Sequence, residues 1–183
     1  MPARPCNIVY IATSLDGYIA GRDDDMSWLP QQIDEAEAGD FGFSEFLDGI
    51  DAIVMGRRTL EAVADFDPWP YTKPLFVLSR NMRKPPAHLK GKVHCTSGSP
   101  RSIVQDLNRR GYARLYIDGG ETIRHFLERD MIDRMIITQV PVLLGGGVPL
   151  FAELERPLNF LHREWRSLAG GLMMSIYDRD RDS

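Results

Sequence analysis

Short, β-branched apolar runs alternate along this chain with segments whose apolar residues recur every three or four positions. The first pattern predicts buried strands and the second predicts amphipathic helices. Strands are expected at Asn7–Thr13, Ala52–Met55, Pro74–Leu78, Val93–Thr96, Arg114–Ile117 and Asp133–Val140. Helices are expected at Arg58–Ala64, at Ser102–Arg110 with Ile103, Val104 and Leu107 on one face, and at Glu121–Arg129 with Ile123, Phe126 and Leu127 inward. Gln31–Gly49 reads as helical in part, interrupted near Gly39 and Gly42. Turn-rich stretches cover Ser14–Pro30, Asp65–Pro74, Ser79–Lys92 and Pro141–Pro149. Near the end the rhythm changes. Leu158–Ser167 and Leu172–Asp178 read as two strands joined at Ala169-Gly170-Gly171, an antiparallel hairpin.

Strands alternating with helices, followed by a hairpin, imply an α/β fold. Its sheet would be mostly parallel with an antiparallel C-terminal edge, and helices would cover both faces. Sheets of this kind bind ligands beyond the carboxyl ends of their strands. Thr13, Gly56, Ser79 and Asp118-Gly119 are expected there. A chain of 183 residues without a linker or internal repeat suits one domain spanning 1–183, with its core at about 7–178.

Composition narrows the partners. A net charge of −4 with scattered arginines argues against a nucleic-acid surface. No apolar run approaches the roughly 20 residues that span a membrane. The two cysteines, Cys6 and Cys95, fit no metal-ligand spacing, and a reducing cytoplasm is the simplest compartment. Residues 179–183 read as a frayed, solvated tail.

Two strand-to-helix turns carry the candidate chemistry. In Tyr116-Ile117-Asp118-Gly119-Gly120-Glu121-Thr122, a strand meets two glycines and a helix start. Ile53-Val54-Met55-Gly56-Arg57-Arg58-Thr59 repeats that logic with two cations. Unpaired N–H groups at a helix start, backed by the helix dipole, attract phosphate. Two such turns suggest a nucleotide cofactor. The plainer reading of each is a tight turn.

Ile11-Ala12-Thr13-Ser14-Leu15-Asp16-Gly17-Tyr18-Ile19-Ala20, Trp28-Leu29-Pro30, Val54-Met55-Gly56-Arg57-Arg58-Thr59 and Asp118-Gly119-Gly120 together resemble dihydrofolate reductase. With Ile132-Asp133, Thr138–Val142, Leu144-Gly145-Gly146-Gly147 and Pro149-Leu150-Phe151 added, the chain is more similar still to the C-terminal reductase domain of the riboflavin-biosynthesis deaminase–reductase, in its stand-alone form. The resemblance implies a dihydrofolate reductase-like three-layer fold around an eight-stranded sheet. It also implies NADPH as cofactor, a small-molecule substrate and a homodimer. Gly56, Arg57, Arg58 and Thr59 match positions that hold the cofactor phosphates. Leu78, Ser79 and Arg80 match the segment beside the ribose 2′-phosphate, where a bidentate arginine would favour NADPH over NADH. Gly119, Gly120, Glu121 and Thr122 match the second pyrophosphate turn, with a cis bond implied at Gly119–Gly120. Ala12 and Ile19 match positions flanking the nicotinamide.

Reducing a C=N bond also takes a proton. Counting back from Met55-Gly56 without a gap places Asp40 at the family's acid position. Half-buried against Phe41, Phe43 and Phe46, its carboxyl would be raised in pKa and able to give a proton near neutrality. The other reading is that Asp40 caps the helix beginning at Phe43. Asp34, Glu35, Glu37 and Glu45 share that region, and Asp16 is a further candidate with a turn as its plainer role. Trp28, Trp69 and Tyr71 are candidate substrate contacts, Trp28 alternatively a loop anchor. Arg58 and Arg80 have solvated-cation readings.

The riboflavin reductase pattern is not matched throughout. Tyr18 stands where a lysine is usual, and Asp67-Pro68-Trp69-Pro70-Tyr71 brings no basic residue until Lys73. Trp69 and Tyr71 would then form an aromatic wall for a flat, uncharged or pterin-like ring. The leading expectation is an NADPH-dependent reductase of a flat heteroaromatic substrate, resembling 5-amino-6-(5-phosphoribosylamino)uracil reductase. The alternatives are a dihydrofolate (pterin) reductase, or a nucleotide-binding protein without this turnover.

Overall fold

In a computed structural model describing residues 5–29 and 40–182, ten strands and four α-helices are formed among the described residues. The strands are β1 (Cys6–Thr13), β2 (Tyr18–Ala20), β3 (Ala52–Gly56), β4 (Leu75–Leu78), β5 (Val93–Thr96), β6 (Arg114–Asp118), β7 (Arg134–Gln139), β8 (Val148–Pro149), β9 (Phe160–Ser167) and β10 (Met173–Arg179). The helices are α1 (Phe43–Asp48), α2 (Arg57–Val63), α3 (Pro100–Arg109) and α4 (Gly120–Leu127). Eight strands make one sheet in the order β5-β4-β3-β6-β1-β7-β10-β9. It is parallel from β5 to β7 and antiparallel through β10 and β9.

The period-two alternation within each strand sorts its side chains onto two faces. Ala52, Val54, Phe76, Leu115 and Ile117 pack with Ile103, Val104 and Leu107 of α3 and Ile123, Phe126 and Leu127 of α4. Ile53, Met55, Leu75, Val77 and Tyr116 face the other way, onto Phe43, Phe46 and Leu47 of α1 and Leu60 of α2. Helices therefore cover both faces, as the alternation of elements implies.

Two expectations change. The turn-rich stretches 14–30 and 141–149 contain β2 and β8, which pair with each other in a small second sheet. The tail is tied down rather than frayed. The Arg179 side chain, 8 % exposed, bonds Asp130, and Arg181 reaches Asp133 at 2.8 Å. Three arginines, Arg156, Arg179 and Arg181, gather on Asp130, a network that the tail's polar composition hid.

The topology opens a crevice. β1 pairs with β7 as far as Thr13, whereas its ladder with β6 runs only from Cys6–Arg114 to Ile8–Tyr116. Beyond that point β1 and β6 part. This is where the connections change direction, since β1 leads outward to β3, β4 and β5 while β6 returns beside β1. Ligands of open α/β sheets bind at such switch points.

Candidate functional site

At the carboxyl edge of the sheet, Gly56 lies opposite Leu78 and Met55 opposite Asp118. The two glycine turns interlock there. A Cβ on Gly119 would fall 2.1 Å from Thr59 Oγ1, and one on Gly56 would fall 3.1 Å from Thr122 Oγ1. Each turn thus leans on a threonine from the other's helix. Gly119 also has φ 86° and ψ 132°, a conformation other residues rarely adopt. Gly120 is held close by Ile19, whose Cδ1 lies 2.5 Å from where its Cβ would be. Gly56, Thr59, Gly119, Gly120, Thr122 and Ile19, singled out from different parts of the sequence, are brought together.

No side chain caps α2 or α4 at its N-terminus, whereas α3 is capped by Ser99, whose hydroxyl accepts the N–H of Ser102. The two neighbouring helix starts keep their first N–H groups free of side-chain acceptors, an arrangement that fits a pyrophosphate. The remaining expected cofactor residues surround this edge less closely. Arg57 is engaged with Glu61 at 2.7 Å, and Arg58, Arg80 and Glu121 are exposed. Ser79 sits just past β4, its hydroxyl accepting the N–H groups of Asn81 and Met82. Ala12 is half-buried near the end of β1, and Leu78 half-buried at the end of β4.

The peptide between Gly119 and Gly120 is trans, contrary to expectation, and the cis bond among the described residues is Asp67–Pro68. Gly119 makes the turn through its positive φ, so no cis bond is required there.

Asp40 departs from the half-buried environment expected of it. Asp40 is exposed, and its two carboxylate oxygens accept the N–H groups of Gly42 (3.0 Å) and Ser44 (2.6 Å). These bonds, those to Ser44 foremost, hold its pKa below the usual carboxylate range, the opposite of a raised pKa. Asp40 closes the turn entering α1. Asp34, Glu35 and Glu37 lie outside the described residues. Asp16 is exposed as well. It accepts from Ser14 Oγ at 2.6 Å, Gly145 N at 2.8 Å and Leu144 N at 3.2 Å, which lowers its pKa and clamps the β1–β2 turn to the 144–145 loop.

Asp118, at the end of β6, is half-buried, with its carboxyl close to the Tyr71 hydroxyl. Burial raises its pKa to about 6, and the Gly119 N–H and the nearby phenols of Tyr116 and Tyr71 oppose that rise. Gly119 N lies 2.8 Å from Oδ1, and the Tyr71 hydroxyl lies 3.5 Å from Oδ2. Tyr116 is two residues earlier on the same strand and so shares its face. Its hydroxyl donates to the Tyr10 carbonyl at 3.0 Å, across the gap where β1 and β6 part. Burial also pushes Tyr10 up to about 12 and raises Tyr71 and Tyr116. Around this group stands an aromatic cluster. Trp69 meets Tyr71 edge-on at 5.2 Å, and Phe43, Phe46, Tyr10 and Tyr116 continue it. Of the candidate substrate contacts, Tyr71 is thus beside Asp118, and Trp69 packs against Tyr71. Trp28 is half-buried, its indole N–H enclosed without an acceptor among the described residues. The alternation Tyr116-x-Asp118 at a strand end was the sequence signal for this pairing of a phenol and a carboxyl on one face.

Residues 5–174 match the family model of the RibD C-terminal domain. The chain belongs to that family. Similarity to individual RibD C-terminal domain relatives extends over most of the chain. A Shewanella sp. PV-4 protein, assigned provisionally to riboflavin biosynthesis, is 46% identical in its crystal structure, with a TM-score of 0.88 over 96% of this chain and 99% of that one. The uncharacterized protein YwjB of Bacillus subtilis is 37% identical over 80% of this chain and 83% of its own length. Dihydrofolate reductase from Enterococcus faecalis, at 14% identity, shares the fold, with a TM-score of 0.67 over 96% of each chain. The dihydrofolate reductase-like architecture of the RibD C-terminal domain is therefore present here.

Proposed function

We propose that this protein is an NADPH-dependent oxidoreductase that reduces a flat heteroaromatic substrate, resembling 5-amino-6-(5-phosphoribosylamino)uracil reductase. The observation that carries the reading is the interlock of the two uncapped glycine turns, Gly56–Thr59 with Gly119–Thr122, at the edge of the β1–β6 crevice. Family membership supports the cofactor, and the Enterococcus faecalis enzyme of the same fold is complexed with NADP(H). In this reading Gly56, Arg57, Arg58, Thr59, Gly119, Gly120, Glu121 and Thr122 surround the pyrophosphate, Leu78, Ser79 and Arg80 meet the ribose 2′-phosphate, and Ala12 and Ile19 flank the nicotinamide. When bound, the dihydronicotinamide supplies hydride; the protein supplies position, exclusion of water and a proton source. Trp69 and Tyr71 form the wall for the substrate ring. Lys73, the first cation after that segment, lies 3.4 Å from the Asp48 carbonyl.

The pterin-reductase alternative drew on Asp40 as a half-buried acid, and the exposed turn position of Asp40 favours the first reading over it. A binding protein without turnover differs in a single assay, NADPH oxidation with substrate present. A cytoplasmic homodimer completes the proposal. The outermost strand β9 has exposed faces, with Trp165 62 % and Leu161 43 % exposed, and light scattering reporting a monomer would remove the dimer.

The test is a fluorescence titration with NADPH and NADH. The reading requires tighter NADPH binding and loss of that preference in Arg80→Ala. Absence of binding by either nucleotide overturns it.

A further inference from the structure

Trp69, which meets Tyr71 edge-on at 5.2 Å, also borders a second concave site. An open cavity of about 360 Å³ lies between the 64–69 segment that follows α2 and the 88–92 segment that precedes β5. Leu75 N donates to the Lys92 carbonyl at 3.3 Å, so the cavity stands at the amino ends of β4 and β5. The glycine turns occupy the opposite, carboxyl edge of the same sheet. The cavity is therefore distinct from the β1–β6 crevice, and a ligand there is independent of the reductase reading.

The two walls carry opposite charge. Asp65 and Asp67 lie on the first and Lys92 on the second, and none of the three has an ion-pair partner among the described residues. Between them the lining is apolar. Leu89, 2 % exposed, belongs to the core, and Trp69 packs on that core in part. Phe66 is 56 % exposed and joins neither core cluster, so its ring serves no packing role in the fold. His88 braces the two walls. The Ala64 carbonyl can only accept, which puts the hydrogen on His88 Nε2, 2.9 Å away.

A cavity of this size takes a small organic molecule, its apolar walls supplying affinity and a few polar groups fixing orientation. Unpaired charges of both signs beside aromatic faces match a zwitterion with an aromatic body. An ammonium is attracted by the carboxylates and by the face of an indole. The Lys92 ammonium is a point charge for a carboxylate. An anion without an ammonium meets two like charges at Asp65 and Asp67, and an amine without a carboxylate leaves Lys92 unanswered. We infer that this cavity binds a free aromatic amino acid, with its ammonium toward Asp65 and Asp67, its carboxylate toward Lys92 and its ring between Phe66 and Trp69.

The probe is L-phenylalanine, titrated into the full chain and followed by backbone-amide NMR. Phenethylamine and hydrocinnamate, each lacking one of its charges, are the comparison compounds. Saturable binding is expected at about 1 mM or tighter, with shifts centred on 64–69 and 88–92. Both comparison compounds are expected to bind about threefold or more weakly. Lys92→Gln is expected to weaken L-phenylalanine by a similar factor and to leave phenethylamine no weaker. The double variant Asp65→Asn, Asp67→Asn is expected to weaken L-phenylalanine and phenethylamine but not hydrocinnamate. Phe66→Ala is expected to weaken all three. These four side chains are exposed, so the variants are expected to keep the fold. No saturation up to about 10 mM overturns the inference. So do shifts centred on Gly56–Thr59 and Gly119–Thr122, a comparison compound that binds as tightly as L-phenylalanine, or unchanged L-phenylalanine affinity in Lys92→Gln.

Discussion

Replacing Asp118 by asparagine is expected to make the protein more stable at neutral and alkaline pH. The carboxyl titrates at about 6 in the fold, against 3.8 as its ordinary value. Below about pH 4 both folded and unfolded states hold the proton, and the group contributes no pH-dependent penalty. As pH rises from 4 to 6 the unfolded chain ionises first, so the fold loses stability. Above the folded pKa the loss levels off. A shift of about two pKa units corresponds to about 3 kcal/mol. Asparagine keeps the shape and the Oδ1 acceptor of Gly119 N–H, but its amide cannot accept from a tyrosine hydroxyl. That exchange costs about 1 kcal/mol, leaving a net gain of about 2 kcal/mol at pH 8. Urea unfolding of both proteins from pH 4 to pH 8 measures this directly, provided the denaturant slopes agree. The stability difference is expected to grow across pH 4–6 and then plateau. A difference independent of pH would refute the reasoning, because it would mean that Asp118 titrates alike in both states.

Gly119→Ala is expected to destabilise by about 2–4 kcal/mol, from the positive φ and the 2.1 Å approach to Thr59 Oγ1. In a double-mutant cycle Thr59→Ala recovers only the steric part, and absence of coupling would show that the turns do not interlock. Asp40→Ala is expected to lose about 1 kcal/mol in urea unfolding, from the Gly42 and Ser44 bonds, while Asp40→Asn leaves NADPH oxidation within about twofold of wild type. Asp130 is held below its ordinary pKa, first by the bond from Arg179, so its contribution is present at neutral pH and is lost as pH falls through its folded pKa. Asp130→Asn is therefore expected to flatten the acid limb of the stability profile, and an unchanged acid limb would count against that network.

The central strands β3, β4 and β6 were legible as continuous apolar runs because they are buried on both faces. Val93–Thr96 emerges with the bounds read from the sequence, and the others shift by a residue or two. β2 and β8 were not legible. With three and two residues they carry no period, and they exist through tertiary ties: the Asp16 clamp on Leu144 and Gly145, and the close approach of Gly147 to Ala20. The glycine turns announced themselves by composition, yet their interlock is a property of the parallel register between β3 and β6. Asp118 was visible as a residue but not as a carboxyl with a raised pKa. What buries it includes Tyr71, 47 positions away in an irregular loop. Asp40 lies exposed, with a lowered rather than a raised pKa, for a local reason: an aspartate two and four residues ahead of free N–H groups takes up a turn.

The most direct test of the account maps NADP+ onto backbone amides by heteronuclear NMR. The account predicts that Gly56–Thr59 and Gly119–Thr122 respond together, at one dissociation constant, with NADP+ binding more tightly than NAD+. Response of one turn without the other, or of residues away from the β1–β6 crevice, would contradict it.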